Sequence, residues 1–139
     1  MLIRTMIAQG LLGAIFTFFG LNMLVFLLGI TDSPPIRLPT LDGDAGAFME
    51  LLARSKFQLV EKLLETAGGI LLLVSFGLRR YAPVAVVILG PLVVSICLFH
   101  LLFLPFDERI IMPIVLSGCL AVLVNDYWSH FQGIFSPHS

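Results

Sequence analysis

The sequence predicts an all-α protein, a polytopic integral membrane four-helix bundle with a short amphipathic interfacial helix in its first loop. Of the 139 residues, 58% are hydrophobic and 12% are charged, and the mean hydropathy is +1.03. A soluble domain has about a quarter of its residues charged. The apolar residues also fall into four runs, each long enough to cross a hydrocarbon core that takes about 20 helical residues. Residues 1–139 are therefore predicted to form a single transmembrane domain.

The four predicted spans follow the apolar runs, at about residues 6–30, 56–78, 83–104 and 110–128. Runs this long and this uniformly apolar favour helices over barrel strands, which alternate over about 10 residues. Short connections join the second, third and fourth spans, so we expect these spans to be antiparallel neighbours. Pro83 and Pro113 fall in the first turns of their helices, where a missing N–H has little cost.

The one long connection, residues 31–55, is predicted to contain a short helix. Its first half is rich in proline, and its second half begins near Asp44, a residue type suited to a helix N-terminus. Phe48, Leu51 and Leu52 then recur at helical spacing. We expect a helix with this pattern to lie flat at the membrane interface.

The arginines of the short loops predict the orientation, because cytoplasmic loops carry an excess of Lys and Arg. Arg4 and the Arg79-Arg80 pair lie on one side with the C-terminal tail, and the other side has Arg109 and the long acidic loop, which also contains Arg37, Arg54 and Lys56. The two sides nearly tie in their number of basic residues, so the prediction depends on the double arginine. Both termini are therefore predicted to be cytoplasmic. The net charge of −1 provides no general field that would attract nucleic acid or anionic lipid.

Polar groups at membrane depth indicate where a functional site could be, because a charge at mid-bilayer costs at least ~2.5–3.5 kcal/mol and by default faces the bundle interior. The candidates for a ligand or proton site are Glu65, Lys62, His100, Glu61 and Asn22. Residues three or four apart on one helix are neighbours, which groups Lys62 with Glu65 and Glu61 with Glu65. Levels counted from the helix ends put Glu61 near His100 and Asn22 near Glu65.

Two interpretations of these residues are open. In the first, Lys62 neutralises one glutamate and His100 or Asn22 bonds the other, so that the network only holds the helices together. In the second, Glu65, Lys62 and His100 bind a polar head group or handle a proton. A metal site is not predicted. The set offers two carboxylates and one histidine, and no second histidine is expected nearby to complete it.

Small residues predict close helix packing. Gly68 and Gly69 follow Glu65 almost directly, and Gly13 and Gly20 offer a matching surface on the first span. The sequence contains no nucleophile–base arrangement, phosphate loop or dinucleotide fingerprint. It also lacks a soluble catalytic domain, which argues against an autonomous enzyme.

Three segments carry a resemblance to a known family. They are Gly13-x-x-Phe16-x-x-x-Gly20-x-Asn22, then Lys62-x-x-Glu65-x-x-Gly68-Gly69, and the run from Ala82-Pro83 to Phe99-His100. Through them the chain resembles the DoxX-like family of small four-helix bacterial membrane proteins, over roughly residues 6 to 130. The family takes its name from a thiosulfate:quinone oxidoreductase whose small membrane subunits feed electrons to quinone.

The resemblance implies a location in the bacterial cytoplasmic (inner) membrane and a polar centre formed by Lys62, Glu65 and His100. It also implies a small quinone- or redox-associated subunit, with a quinone-like lipid as its cofactor. Paired cysteines and a soluble sulfur-binding domain are missing, so we do not expect independent thiosulfate oxidation. The alternatives are a non-catalytic accessory or assembly subunit and an oligomeric carrier of a small solute or proton. In each case the partners are the lipid bilayer and either further copies or other subunits of a membrane complex.

Overall fold

The fold consists of helices and the turns that join them. A computed structural model describes residues 2–37 and 40–135. Two 3-10 turns, Arg79–Tyr81 and Glu108–Ile110, lead into long helices, and the described part of the chain has no strand. The predicted all-α class is therefore confirmed. The α-helices are α1 (Ile3–Leu27), α2 (Gly43–Arg54), α3 (Phe57–Val74), α4 (Ala82–Phe103), α5 (Ile111–Asp126) and α6 (Trp128–Phe135).

Three segments are long and apolar enough to cross a membrane: Ile3–Leu27, Arg79–Phe103 and Glu108–Asp126. Large apolar side chains such as Leu101 and Ile114 point outward from these segments. A continuous exposed apolar surface is unfavourable in water and suits lipid. The chain is therefore an all-helical membrane protein.

The four longest helices contact one another in a closed cycle. Helix α1 packs against α3 and α5, and α4 packs against the same two helices. Their shared core contains the fully buried side chains Leu12, Phe16, Leu72, Leu89 and Leu116. Helix α2 contacts α3 and α4, and the ring of Phe48 lies 5.2 Å from that of Phe103.

The bundle has two ends, and an ion pair between distant parts of the chain marks one of them. Arg4 Nη2 at the start of α1 lies 2.6 Å from Asp126 Oδ1 at the end of α5. We call this end, which also includes the Arg79–Tyr81 turn, the arginine end. The opposite end includes residues 28–37 and 40–42, α2 and the start of α3, and we call it the loop end. Helices α1 and α4 run towards the loop end, whereas α3 and α5 run back.

Helix α1 ends at Leu27, three residues before the predicted limit, because Gly29 adopts a φ of 71°. The Ile30 N–H then donates to the Val25 carbonyl at 2.9 Å, and the Gly29 N–H donates to the Phe26 carbonyl at 2.9 Å. This pair of bonds is a Schellman ending, in which a glycine with positive φ satisfies the last helical carbonyls.

The C-terminal ends of α3 and α5 also differ from their expected positions. Helix α3 ends at Val74 instead of near residue 78, since Phe76 and Gly77 donate to carbonyls three residues back and tighten the final turn. Helix α5 ends at Asp126, and α6 begins at Trp128, although the sequence did not predict a sixth helix.

Candidate functional site

A buried ion pair on α3 is the centre of the candidate site. Lys62 Nζ lies 2.7 Å from Glu65 Oε1, and the two side chains are 15% and 3% exposed. The residues are three apart, so their side chains meet on adjacent turns of one helix face. An unpaired charge at such a position would cost several kcal/mol. The contact therefore makes both charges tolerable inside an apolar bundle.

The helix surface beside the ion pair packs closely against α1. Thr66 Oγ1 donates to the Lys62 carbonyl at 2.8 Å, which keeps this hydroxyl within its own helix. A Cβ added to Gly20 would lie 2.9 Å from the Thr66 backbone nitrogen, and one added to Gly69 would lie 2.6 Å from the Thr17 backbone nitrogen. Backbone meets backbone here, so only glycine permits the approach.

The other two glycines predicted to pack helices are also in close contacts, though of different kinds. A Cβ on Gly13 would lie 3.2 Å from the Gly69 carbonyl oxygen. A Cβ on Gly68 would instead lie 2.6 Å from a methyl carbon of Leu89, on α4. A leucine side chain can rotate away, whereas a backbone atom cannot. The α1–α3 contact is therefore the less adaptable of the two.

Two further polar side chains on α3 have no partner within the described residues. Glu61 is half-buried and makes neither a hydrogen bond nor an ion pair. Gln58 is 4% exposed, and its Oε1 has no hydrogen-bond partner. Gln58 precedes Glu61, Lys62 and Glu65 by three, four and seven residues, so all four share one side of the helix. We call this set the polar face of α3.

Gln58 was missed at the level of sequence because it lies in the first turn of α3, where a polar side chain is unremarkable. The spacing of three, four and seven residues to the charged positions was the signal that could have identified it. A buried acceptor without a donor costs about 1–3 kcal/mol. That cost disappears when a ligand supplies an O–H or N–H group.

Asn22 binds the first loop instead of the ion pair. Its Oδ1 accepts from the Ile36 N–H at 2.7 Å, and its Nδ2 donates to the Ile36 carbonyl at 2.9 Å. The Asn22 amide thus pairs with both the N–H and the carbonyl of one loop residue, as the backbone of a neighbouring β-strand does. Asn22 makes no hydrogen bond to Lys62 or Glu65, and its role is to hold the loop against the end of α1.

We expect Asn22→Leu to release this segment without unfolding the bundle. Two hydrogen bonds are lost, worth about 0.5–1.5 kcal/mol each, so local opening at Ile36 should increase about tenfold or more. Arg37 follows directly and is exposed, which makes trypsin cleavage after Arg37 the measurement. Cleavage after Arg54, at the end of α2, is the internal control. Equal acceleration at both arginines would mean that the substitution acts on global stability.

His100 lies on α4 near the loop end, separate from the ion pair. Its Nδ1 is 2.8 Å from the Ile96 carbonyl oxygen. A carbonyl can only accept, so Nδ1 is the donor in this hydrogen bond. No hydrogen bond or ion pair joins His100 to Glu61, Lys62 or Glu65. The expected carboxylate–lysine–histidine set is thus divided between two helices, with no hydrogen bond or ion pair between the two parts in the described residues.

An aromatic cluster beside His100 connects α4 with α2. The ring of Phe99 lies 5.9 Å from the imidazole in an edge-on arrangement. Phe48 of α2 stacks near both Phe99 and Phe103, with centroid distances of 5.7 and 5.2 Å. Edge-on and offset rings at these distances add about 0.5–1.5 kcal/mol beyond their buried area. Phe48 therefore contributes an aromatic contact between α2 and α4, beside the buried Ala45 of the same helix.

The arginine end has a polar network that sequence analysis did not identify. Gln9 is fully buried, and its Nε2 donates to the Leu72 carbonyl at 3.0 Å and to Ser75 Oγ at 2.5 Å. The hydroxyl of Tyr127 donates to Gln9 Oε1 at 3.5 Å. Thr5 Oγ1 donates to Asp126 Oδ2 at 2.5 Å, beside the Arg4 ion pair. These contacts satisfy their members internally and leave the polar face of α3 as the candidate site.

Among known proteins, no family model, no curated protein and no solved structure matches this chain.

Proposed function

We propose that α3 is a fourth membrane span, so that α1, α3, α4 and α5 form a transmembrane four-helix bundle. The support is the level-by-level pairing of α3 with α1. Gln9 bonds to Leu72 and Ser75 near the arginine end, and Gly20 approaches Thr66 nearer the loop end. Because α1 is apolar and long enough to cross a membrane, a helix aligned beside it lies at the same depth. Four spans also fit the contact between Arg4 and Asp126, which needs both ends on one side.

The interfacial position of α2 and the orientation of the bundle belong to the same proposal. Helix α2 exposes Leu51 on one part of its surface and the ion pair of Glu50 and Arg54 on another, a pattern suited to the boundary between lipid and water. Arg4, Arg79 and Arg80 all belong to the arginine end. The loop end also has basic residues, so the orientation rests on the adjacent pair Arg79 and Arg80. A pair of arginines in a short loop favours the cytoplasmic side, and both termini would then be cytoplasmic in a bacterial inner membrane.

We further propose that the chain is a DoxX-like, quinone-associated membrane subunit whose polar face of α3 binds the head group. The carrying observation is the buried, unpartnered Oε1 of Gln58 one turn from the Lys62–Glu65 ion pair. An ammonium has three donors, and Lys62 uses one on Glu65. Its other donors suit a quinone carbonyl, whereas Gln58 and Glu61 suit the hydroxyl groups of a quinol. The same face can therefore bind the oxidised and the reduced form.

The chain's part in such chemistry is binding and proton handling. Electron transfer requires a redox partner, so this function places the chain in a larger membrane complex. Glu61 and Glu65 can accept or return protons beside the head group. The proposal agrees with the absence of a catalytic motif in the sequence and does not require an autonomous enzyme.

The test measures the dissociation constant of a short-chain benzoquinone for the full chain in lipid nanodiscs. Gln58→Leu removes an acceptor that has no partner among the described residues, so we expect unchanged or increased stability and about tenfold weaker binding, equivalent to ~1.4 kcal/mol. Glu65→Gln should also weaken binding. Thr17→Val is the matched control, since Thr17 Oγ1 is another buried atom without a partner, on α1. Equal affinity of the wild type, Gln58→Leu and Glu65→Gln would reject the quinone site.

A second candidate function, a non-catalytic accessory or assembly subunit, is favoured by a different observation. Gln9, Asn22 and Glu65 all have partners within the chain, as they would in a bundle that serves only as a packing element. This function predicts a fixed-ratio membrane partner and no bound quinone after gentle extraction. Native mass spectrometry of the extracted protein separates the two candidates, because a retained quinone that is lost in Glu65→Gln fits only the first.

A further inference from the structure

An open groove of about 740 Å³ runs between α4 and α5 on the outer surface of the bundle. Its walls include Val93, Leu101, Leu120 and Val124, with Cys97 and Ser117 as polar members. The lining on α4 extends from Val93 to Leu101, about 12 Å at a rise of 1.5 Å per residue. The groove volume is within the ~300–1,000 Å³ typical of ligand sites.

The surroundings of the groove indicate a lipid chain as its occupant. Both walls belong to segments that are able to cross a membrane, so the groove opens towards hydrocarbon and not towards water. The two polar members interact with each other, since Cys97 Sγ lies 3.0 Å from Ser117 Oγ. Cys97 and Ser117 thus require no further hydrogen bond from an occupant, and this part of the groove suits an aliphatic chain.

One end of the groove is polar and adjoins the arginine end. Asn125 and Trp128 line this end of the groove, and Asp126 and Tyr127, between them in sequence, line a second cavity of about 250 Å³ together with Arg79. Tryptophan is frequent where a membrane protein meets the head groups. The polar end of the groove is therefore at the depth that a lipid head group occupies.

The charges at this end are unbalanced. Asp126 is already bound to Arg4. Arg79 and Arg80 have no carboxylate partner among the residues that the structure describes, and Arg80 instead lies over the ring of Tyr81. Guanidinium groups bind phosphate through paired hydrogen bonds. The whole chain has a net charge of −1, so attraction of an anionic head group to this end of the groove would come from the local pair and not from the overall charge.

We propose that the α4–α5 groove binds one acyl chain of an anionic phospholipid, whose head group lies beside Arg79 and Arg80. The site is on the opposite side of α4 from the helix that carries the polar face. It depends only on α4 and α5 being in the membrane, and it holds whether or not α3 binds a quinone.

The experiment uses the full chain in nanodiscs that contain equal amounts of phosphatidylglycerol and phosphatidylcholine with identical acyl chains. Native mass spectrometry after gentle release counts the lipids retained. We expect one phosphatidylglycerol retained at about tenfold excess over phosphatidylcholine. Ala121→Phe fills the groove and should reduce retention about tenfold, whereas Ala67→Phe, an equal change at an exposed alanine of α3, should not.

The arginine variants test the head-group half of the proposal separately. Arg79→Gln combined with Arg80→Gln should keep one lipid bound but abolish the preference for phosphatidylglycerol. If Ala121→Phe fails to fold, Val94→Phe fills the same groove from α4. Equal retention of the two lipids by the wild type would overturn the proposal. So would a wild-type dimer that Ala121→Phe converts to a monomer, because the groove would then bind a second copy.

Discussion

Gly69→Ala and Gly20→Ala are expected to destabilise the protein by about 1–3 kcal/mol each, the usual cost of forcing extra atoms into a packed interface. The new methyl groups would lie 2.6 Å from the Thr17 backbone nitrogen and 2.9 Å from the Thr66 backbone nitrogen. Neither neighbour can rotate away, so α1 and α3 have to separate. Alanine has a higher helix propensity than glycine by up to ~1 kcal/mol, which offsets only part of this loss.

The chain provides a matched control for the glycine substitutions. Gly118 lies inside α5, and a Cβ added there would meet nothing within 4 Å. Gly118→Ala should therefore be neutral or stabilising by up to ~1 kcal/mol. The measurement is the free energy of unfolding in detergent micelles by denaturant titration. If Gly69→Ala is as stable as Gly118→Ala, the backbones of α1 and α3 do not approach as closely as the structure indicates.

Lys62→Met is expected to have the largest effect of any single substitution, because it leaves Glu65 buried without a counter-ion. Removing one partner of a buried ion pair typically costs 3–5 kcal/mol. Replacing both residues, as Lys62→Met with Glu65→Met, removes the unpaired charge and should restore most of the lost stability. The double variant should therefore unfold at a higher denaturant concentration than Lys62→Met alone. Two substitutions are thus expected to cost less stability than one.

An exposed ion pair on α2 is the control for this experiment. Glu50 and Arg54 are four residues apart, with side chains 64% and 76% exposed. Pairs of this kind contribute about 0.3–0.5 kcal/mol, so Arg54→Met should have little effect. A double variant at positions 62 and 65 that is no more stable than Lys62→Met would show that packing, and not the unpaired charge, causes the loss.

The helical, membrane-type fold could be predicted because its causes are local. Apolar runs of sufficient length predict helices that cross lipid, and three such helices are found. The helix ends were less predictable. Gly29 ends α1 through a positive φ, although the apolar run continues to Ile30. Tyr127 separates α5 from α6 without any proline or glycine to mark the break.

The candidate site was also predictable in part: the spacing of Lys62 and Glu65 could be read from the sequence, whereas the partners of Asn22 and His100 could not. Lys62 and Glu65 are three residues apart on one helix, so the spacing alone was enough to group them. The partner of Asn22 is a backbone residue of the first loop, and the partner of His100 is a carbonyl of its own helix. Hydropathy and spacing do not specify such choices, because they depend on how the loop folds back and which rotamer packing permits.

The glycine contacts between α1 and α3 also affect how the molecule can move. Two helices in direct main-chain contact cannot slide past each other without collision, so this pair behaves as one rigid unit. Helices α4 and α5 each contain a glycine with open space beside it, Gly90 and Gly118, and these two helices form the walls of the open groove. We therefore expect any conformational change in the membrane to involve α4 and α5. Such a change could admit a lipid or accommodate a partner subunit.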